Sequence, residues 1–253
     1  MPLSREKSLP FAAALGTAVL SSGAITRWNP WVLEWAALVP AFFFLPEVSK
    51  RWPDRGPLLF GWVCGFFTHL FVFRWLTETV TRFTNLPWPV AVGILLLFAA
   101  SHGLLWALWL FASERLVHYA RWPRPLALPA VYVVCAAFLP QLFPWFVGMA
   151  QHHFHPFAQI AAVGGIELAV FLVVLANTAL AGALRAFADR EKVSWKPLAA
   201  AVGAAAAACF YGTIHLSSVD ETLAAAPEVR VALLQPNVEA KLAKGPTESA
   251  DRL

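Results

Sequence analysis

The sequence predicts an all-α polytopic membrane protein with about seven transmembrane helices, and three observations lead there. Of the 253 residues, 59% are apolar and 13% charged, with a mean hydropathy of +0.61. A soluble domain carries about a quarter charged residues, so lipid must cover much of this surface. The apolar residues are gathered into seven runs, most of them near the roughly 17 to 25 residues that a helix needs to cross hydrocarbon with its backbone satisfied. Eight of the twelve tryptophans, Trp28, Trp31, Trp52, Trp75, Trp88, Trp122, Trp145 and Trp195, fall at or near the ends of those runs, where an amphipathic ring prefers the headgroup layer. Disordered, collagen-like and coiled-coil classes fall with the composition. The net charge of +4 does not point to nucleic acid, because the basic residues sit in short clusters between apolar stretches rather than on one face.

In chain order the runs are Phe11 to Ile25, Trp31 to Pro46, Pro57 to Trp75, Pro89 to Phe111, Leu126 to Leu142, Gln159 to Phe187 and Pro197 to Leu216. The first comes after Arg5 and Lys7, a pattern shared with secretory leaders; a second run within five residues and the lack of a small-residue cleavage site favour a span. The first two runs are short, and tilting or snorkelling flanks would let them reach. The sixth overshoots the bilayer, and the seventh contains the alanine-rich stretch Ala199 to Ala208. Prolines lie mostly at run ends, against the broken midplane helices of a transporter.

Orientation is set by lysine and arginine in the short loops. One side holds Arg5, Lys7, Lys50, Arg51, Arg55, Arg115, Arg121, Arg124, Arg185, Arg190, Lys192 and Lys196, and the other only Arg27, Arg74 and Arg82 before the tail. The basic side is cytoplasmic, so seven crossings carry the chain after Leu216 outside.

From Ser217 the character changes, with ten charged residues in the last 37. The expected division is 1–216 as a transmembrane helical domain and 217–253 as the incomplete start of a soluble domain. Val229 to Gln235 reads as a buried strand stopped by Pro236 and Asn237. A lone strand needs partners that the remaining residues do not offer.

Chemistry-bearing residues are few. Cys64, Cys135 and Cys209 lie inside apolar runs, where a cysteine behaves as a small hydrophobe, so neither disulfides nor a zinc ligand set is read, and no cofactor or metal is expected. The His152, His153 and His155 cluster reads as an interfacial polar loop, since adjacent imidazoles without a nearby acid or thiol make a poor metal set. His69 and His102 read as inward imidazoles hydrogen-bonded to a neighbouring helix. Glu167 stands eight residues into the sixth run, lining a cavity or sitting at the interface. Arg74, with Glu78 one turn on, is either an i,i+4 anchor or a cation at headgroup depth for a lipid phosphate.

The Phe143-Pro-Trp145 loop, Gln151, Gln159, Gly164-Gly165, the run Phe171 to Asn177, Gly61-Trp62 with Gly65-Phe66-Phe67, Trp75-Leu76 and Val231 to Asn237 together resemble the apolipoprotein N-acyltransferases over nearly the whole chain. The resemblance implies a multi-pass enzyme of the bacterial inner membrane that transfers an acyl chain from phospholipid to the N-terminal cysteine amine of a lipoprotein. It makes the tail the truncated start of an α/β nitrilase-like domain on the periplasmic side, with the family's Glu-Lys-Cys triad further on, so that this chain alone is expected to be inactive. The implied partners are a phospholipid acyl donor, a diacylglyceryl-modified apolipoprotein and membrane lipids, with no nucleic acid. The family often carries a tryptophan where Lys244 stands. Carried over are the lipid-cavity candidates Arg74, Trp75, Phe143, Pro144, Trp145 and Gln151; no catalytic residue is carried over. The alternative is a non-catalytic lipid-binding or partner-binding membrane module.

Overall fold

A computed structural model describes residues 3–26, 28 and 30–235, with side chains from Leu9 onward. Arg27, Pro236, Asn237 and the rest of the tail, and the side chains of Arg5 and Lys7, lie outside the described residues.

All regular structure among these residues is helical: α1 (Leu3–Ala24), a 3-10 turn (Trp31–Trp35), α2 (Val39–Arg51), α3 (Gly56–Val72), α4 (Leu76–Thr84), α5 (Trp88–Tyr119), α6 (Arg124–Phe138), a second 3-10 turn (Met149–His153), α7 (His155–Ala158), α8 (Ala161–Ala188) and α9 (Lys196–Ala225). Each of the seven apolar runs falls on helix. Length divides them, however. Four helical stretches are long and apolar enough to cross a membrane, Trp31–Arg51, Trp88–Tyr119, Ala161–Ala188 and Lys196–Ala225, and a fifth is gained if α3 and α4, bent by 55°, count as one span. The first and fifth runs form shorter apolar helices, with α6 only 15 residues long. At 1.5 Å per residue that is about 23 Å against a core of about 30 Å.

The tail departs from expectation in two ways. Helix α9 continues to Ala225, beyond the expected boundary at Leu216. Residues 227–235 then carry no regular structure, so the strand expected at Val229 to Gln235 is not formed. Val229, Val231, Leu233 and Leu234 are instead widely exposed: no neighbouring strand among the described residues offers the backbone partners that would hold a strand in place.

The bundle is built on the antiparallel pair α3 and α5. An added Cβ at Gly61 would lie 2.4 Å from the Trp106 carbonyl oxygen, and one at Gly65 would lie 2.7 Å from Trp106 Cβ. Small residues four apart are what let two membrane helices approach so closely. The buried Trp109 ring packs against Phe42 of α2 and Tyr132 of α6, and its Nε1–H donates to Leu128 O at 2.7 Å. Helix α1 lies on α3 through Phe11 and Phe67. Helix α9 stands outermost, with Val202, Phe210 and Ile214 turned outward, the composition of a lipid-facing surface.

This packing sorts the helix ends. Arg55, Arg115, Arg124 and Arg185 gather at one end, and Trp31, Arg74, the 143–154 loop and the start of α8 at the other. The α9 segment beyond Gly212, which abuts Pro156 of α7, leads residues 226–235 out at the Arg74 end.

Candidate functional site: a cleft at the broken third span

Helix α3 stops at Val72 because the backbone leaves helical geometry at Phe73, whose N–H still donates to His69 O. The chain restarts as α4, and Arg74 and Trp75 occupy the corner. Four of the six cavity candidates, Arg74, Trp75, Pro144 and Trp145, line one cleft of about 540 Å³, together with Thr26, Thr77, Glu78 and Met149. That is the volume range of small-molecule sites. Phe143 stacks over its edge, 6.0 Å from the Phe73 ring and 5.9 Å from Trp75. Gln151 borders a neighbouring apolar cavity of about 480 Å³ with Ile25, Gly148 and Ile166. Trp145 and Met149 belong to both cavities.

The anchor reading of Arg74 fails on geometry. The corner breaks the i,i+4 relation to Glu78, which instead lies 3.9 Å from Arg82. The Arg74 guanidinium donates to the Phe71 carbonyl at 3.1 Å, and no carboxylate pairs with it among the described residues. It is exposed in the cleft with most of its five donors unused.

Trp145 is not an interface ring but a core one, 5% exposed. It meets His69 edge-on with ring centroids 5.6 Å apart. Its loop is held from below, where the Val147 N–H donates to the Tyr132 hydroxyl oxygen at 3.0 Å. His69 and His102 face inward as expected, but each bonds its own helix: His69 Nδ1 lies 2.8 Å from Gly65 O and His102 Nδ1 3.1 Å from Phe98 O. A carbonyl only accepts, so His69 Nδ1 carries the proton, while His102 Nδ1 also lies 3.3 Å from the Ser101 hydroxyl. The free carbonyl lone pair one turn back is nearer than any polar group on the facing helix. Thr68 Oγ1, His102 Nε2 and Trp145 Nε1 are buried with no hydrogen-bond partner among the described residues.

Behind the cleft, Gln151 and Asn177 meet Glu34, a residue not singled out from the sequence. Glu34, 2% exposed, accepts the Ala150 N–H at 3.1 Å and a Gln151 Nε2–H at 3.3 Å. Gln151 also donates to Trp31 O and accepts from Trp35 Nε1, so its amide is occupied by protein. Asn177 donates to Glu34 O at 2.7 Å and accepts the Leu38 N–H at 2.9 Å. The signal for Glu34 was present, since it is an acid inside an apolar run and such groups need a partner. At the far end Glu114, nearly buried, takes two hydrogen bonds of 2.8 Å from Arg124.

Glu167 is exposed at the start of α8, beside a helix break where Gly165 takes φ +68°. Its side chain is exposed rather than buried. The His152 and His153 rings lie tilted with centroids 3.8 Å apart, and no third metal-ligating side chain joins them among the described residues. Cys64 is fully buried, and Cys135 and Cys209 are partly so.

A profile of the apolipoprotein N-acyltransferase N-terminal domain matches residues 17–179. The chain is 30% identical over 167 residues to the apolipoprotein N-acyltransferase of Geobacter metallireducens, covering 63% of this chain and 30% of that protein. It is 28% identical over 242 residues to that of Chromobacterium violaceum, covering 92% and 44%, and 26% identical over 201 residues to that of Haemophilus ducreyi, covering 77% and 36%. The chain therefore spans less than half the length of these relatives.

Proposed function

Because the chain belongs to the apolipoprotein N-acyltransferase family, we propose that it is the membrane part of an enzyme that moves an acyl chain from phospholipid to the N-terminal cysteine amine of a diacylglyceryl-modified apolipoprotein. The carrying observation is the cleft, in which an arginine without a carboxylate partner among the described residues lies beside Trp75 and Trp145 at the corner of a broken span. A guanidinium at headgroup depth meets a phosphate through charge-assisted hydrogen bonds. The rings and the adjoining apolar cavity suit the first methylenes of an acyl chain. Arg74 orients the headgroup, Trp145 separates the polar cleft from the apolar one, and Trp75, Phe143 and Pro144 form the rim. Gln151 holds the wall.

In this reading residues 1–216 cross the bacterial inner membrane seven times, the two short helices included, with the basic helix ends in the cytoplasm. The segment from 217 leads into a periplasmic nitrilase-like domain over the cleft. The emergence of residues 226–235 at the Arg74 end favours that arrangement. The Glu-Lys-Cys triad of the family has no counterpart among the cysteines within these helices, so the chemistry is assigned to that domain.

The test is acyl transfer from phospholipid by the full-length protein carrying Arg74→Gln or Trp145→Ala, measured beside thermal stability in detergent. Loss of a charge-assisted contact of about 1.5–3 kcal/mol corresponds to roughly a tenfold or greater fall in phospholipid use, with little change in melting for Arg74→Gln. Unchanged transfer in both variants would mean that this cleft does not handle the donor lipid, and no transfer by the full-length parent would favour a non-catalytic lipid-binding module.

A further inference from the structure

At the opposite end of α3 from the Arg74 cleft, the ends of α2, α5 and α6 enclose a second pocket of about 430 Å³ whose lining includes Lys50, Arg115, Arg121, Arg124, Glu114 and Tyr119. Its charges do not cancel. Arg124 is engaged by Glu114 and Arg115 by Asp54 at 2.5 Å, with Tyr119 OH also accepting from Arg115 at 2.9 Å. Lys50 and Arg121 have no ion-pair partner among the described residues.

Arg121 is placed there at a cost. It ends α5 with φ +59°, the left-handed conformation that glycine ordinarily supplies at a helix C-terminus and that a side chain resists. Glycine would make the same turn without strain, although Arg190 takes it too after α8.

The surroundings have the character of a headgroup layer. Trp52, Tyr119 and Trp122 stand exposed on this rim. The pocket also shares Pro46 and Arg124 with a groove of about 320 Å³ in which an apolar strip of Phe42, Leu128, Ala181 and Gly182 is bordered by Thr178, Glu191 and the Arg185–Asp189 pair. A charged mouth continuing into an apolar groove between helices is the form in which membrane proteins hold acidic headgroups.

We infer that this pocket binds the headgroup of an anionic phospholipid, with Lys50 and Arg121 on its phosphate and an acyl chain along the α2, α6 and α8 groove. A neutral-headed lipid lacks the net charge that the two unpaired cations call for. The site needs only a membrane setting and does not rest on the acyl-transfer reading.

The purified chain in detergent is titrated with phosphatidylglycerol, phosphatidylcholine or inorganic phosphate, and binding is read by native mass spectrometry and by the shift in melting temperature. In the Arg74→Gln variant, which removes the phosphate contact of the other cleft, phosphatidylglycerol is expected to bind and raise the melting temperature, and the other two to do neither. Lys50→Gln with Arg121→Gln, added to Arg74→Gln, should weaken the remaining phosphatidylglycerol binding roughly tenfold or more. The deciding variant is Arg121→Gly, which relieves the left-handed strain and so keeps or raises basal stability while removing one cation. Weaker phosphatidylglycerol binding in this stable variant supports the site. Undiminished binding in it, or equal binding of phosphatidylcholine by the Arg74→Gln chain, overturns the inference. An equal effect of inorganic phosphate would identify a free-anion site and overturn the lipid assignment.

Discussion

Glu34 and Gln151 meet with Oε2 and Nε2 3.3 Å apart across 117 positions of sequence. The contact ties the first 3-10 turn to the second and so fixes the wall against which Trp145 packs. Around it Trp31 stacks on Phe154 with centroids 4.4 Å apart, and Trp35 meets Phe157 edge-on. The broken start of the second apolar run is thus held by side chains as much as by its backbone.

Replacing Glu34 with Ala should destabilise the chain by about 1–3 kcal/mol, the cost of leaving the Ala150 N–H and a Gln151 donor buried without an acceptor. Glu34→Gln retains one acceptor oxygen and should cost clearly less. Thermal unfolding in detergent measures both. Equal melting of Glu34→Ala and the parent chain would show that water replaces the carboxylate.

Gly65→Leu should separate α3 from α5, because even a Cβ there lies within 2.7 Å of Trp106. Overpacking of this kind costs about 1–3 kcal/mol, and a much smaller loss is expected for a leucine at Gly93, where an added Cβ meets nothing within 4 Å. Melting temperatures of the two variants make the comparison, and similar values would contradict the close helix contact.

Reporter fusions should place Arg51, Arg121 and Lys192 in the cytoplasm, and His153 and residues 227–235 outside, as the basic loops require. A cytoplasmic report from the 227–235 fusion would overturn both the seven crossings and the periplasmic position of the segment beyond α9. If instead only the insertions next to α1 and α6 misreport, the two short helices do not span.

The sequence by itself determined that the protein is helical and bound for a bilayer, because apolar run length and the scarcity of charge are properties of composition and order alone. It also carried the family through the Phe143-Pro-Trp145 loop and the Phe171 to Asn177 run, which hold their residue types in a fixed order. Tertiary structure decided where those residues sit. Trp145 sits at a run end, yet burial and the His69 ring make it the partition between two cavities rather than a headgroup anchor. Arg74 could have paired with Glu78 on a continuous helix, and only the 55° bend between α3 and α4 leaves it free. Glu34 and Gln151, or Lys50 and Arg121, have no local relation that periodicity could reveal. Hydrogen bonds and charge surpluses between residues far apart in the chain exist only once helix packing has set their distances.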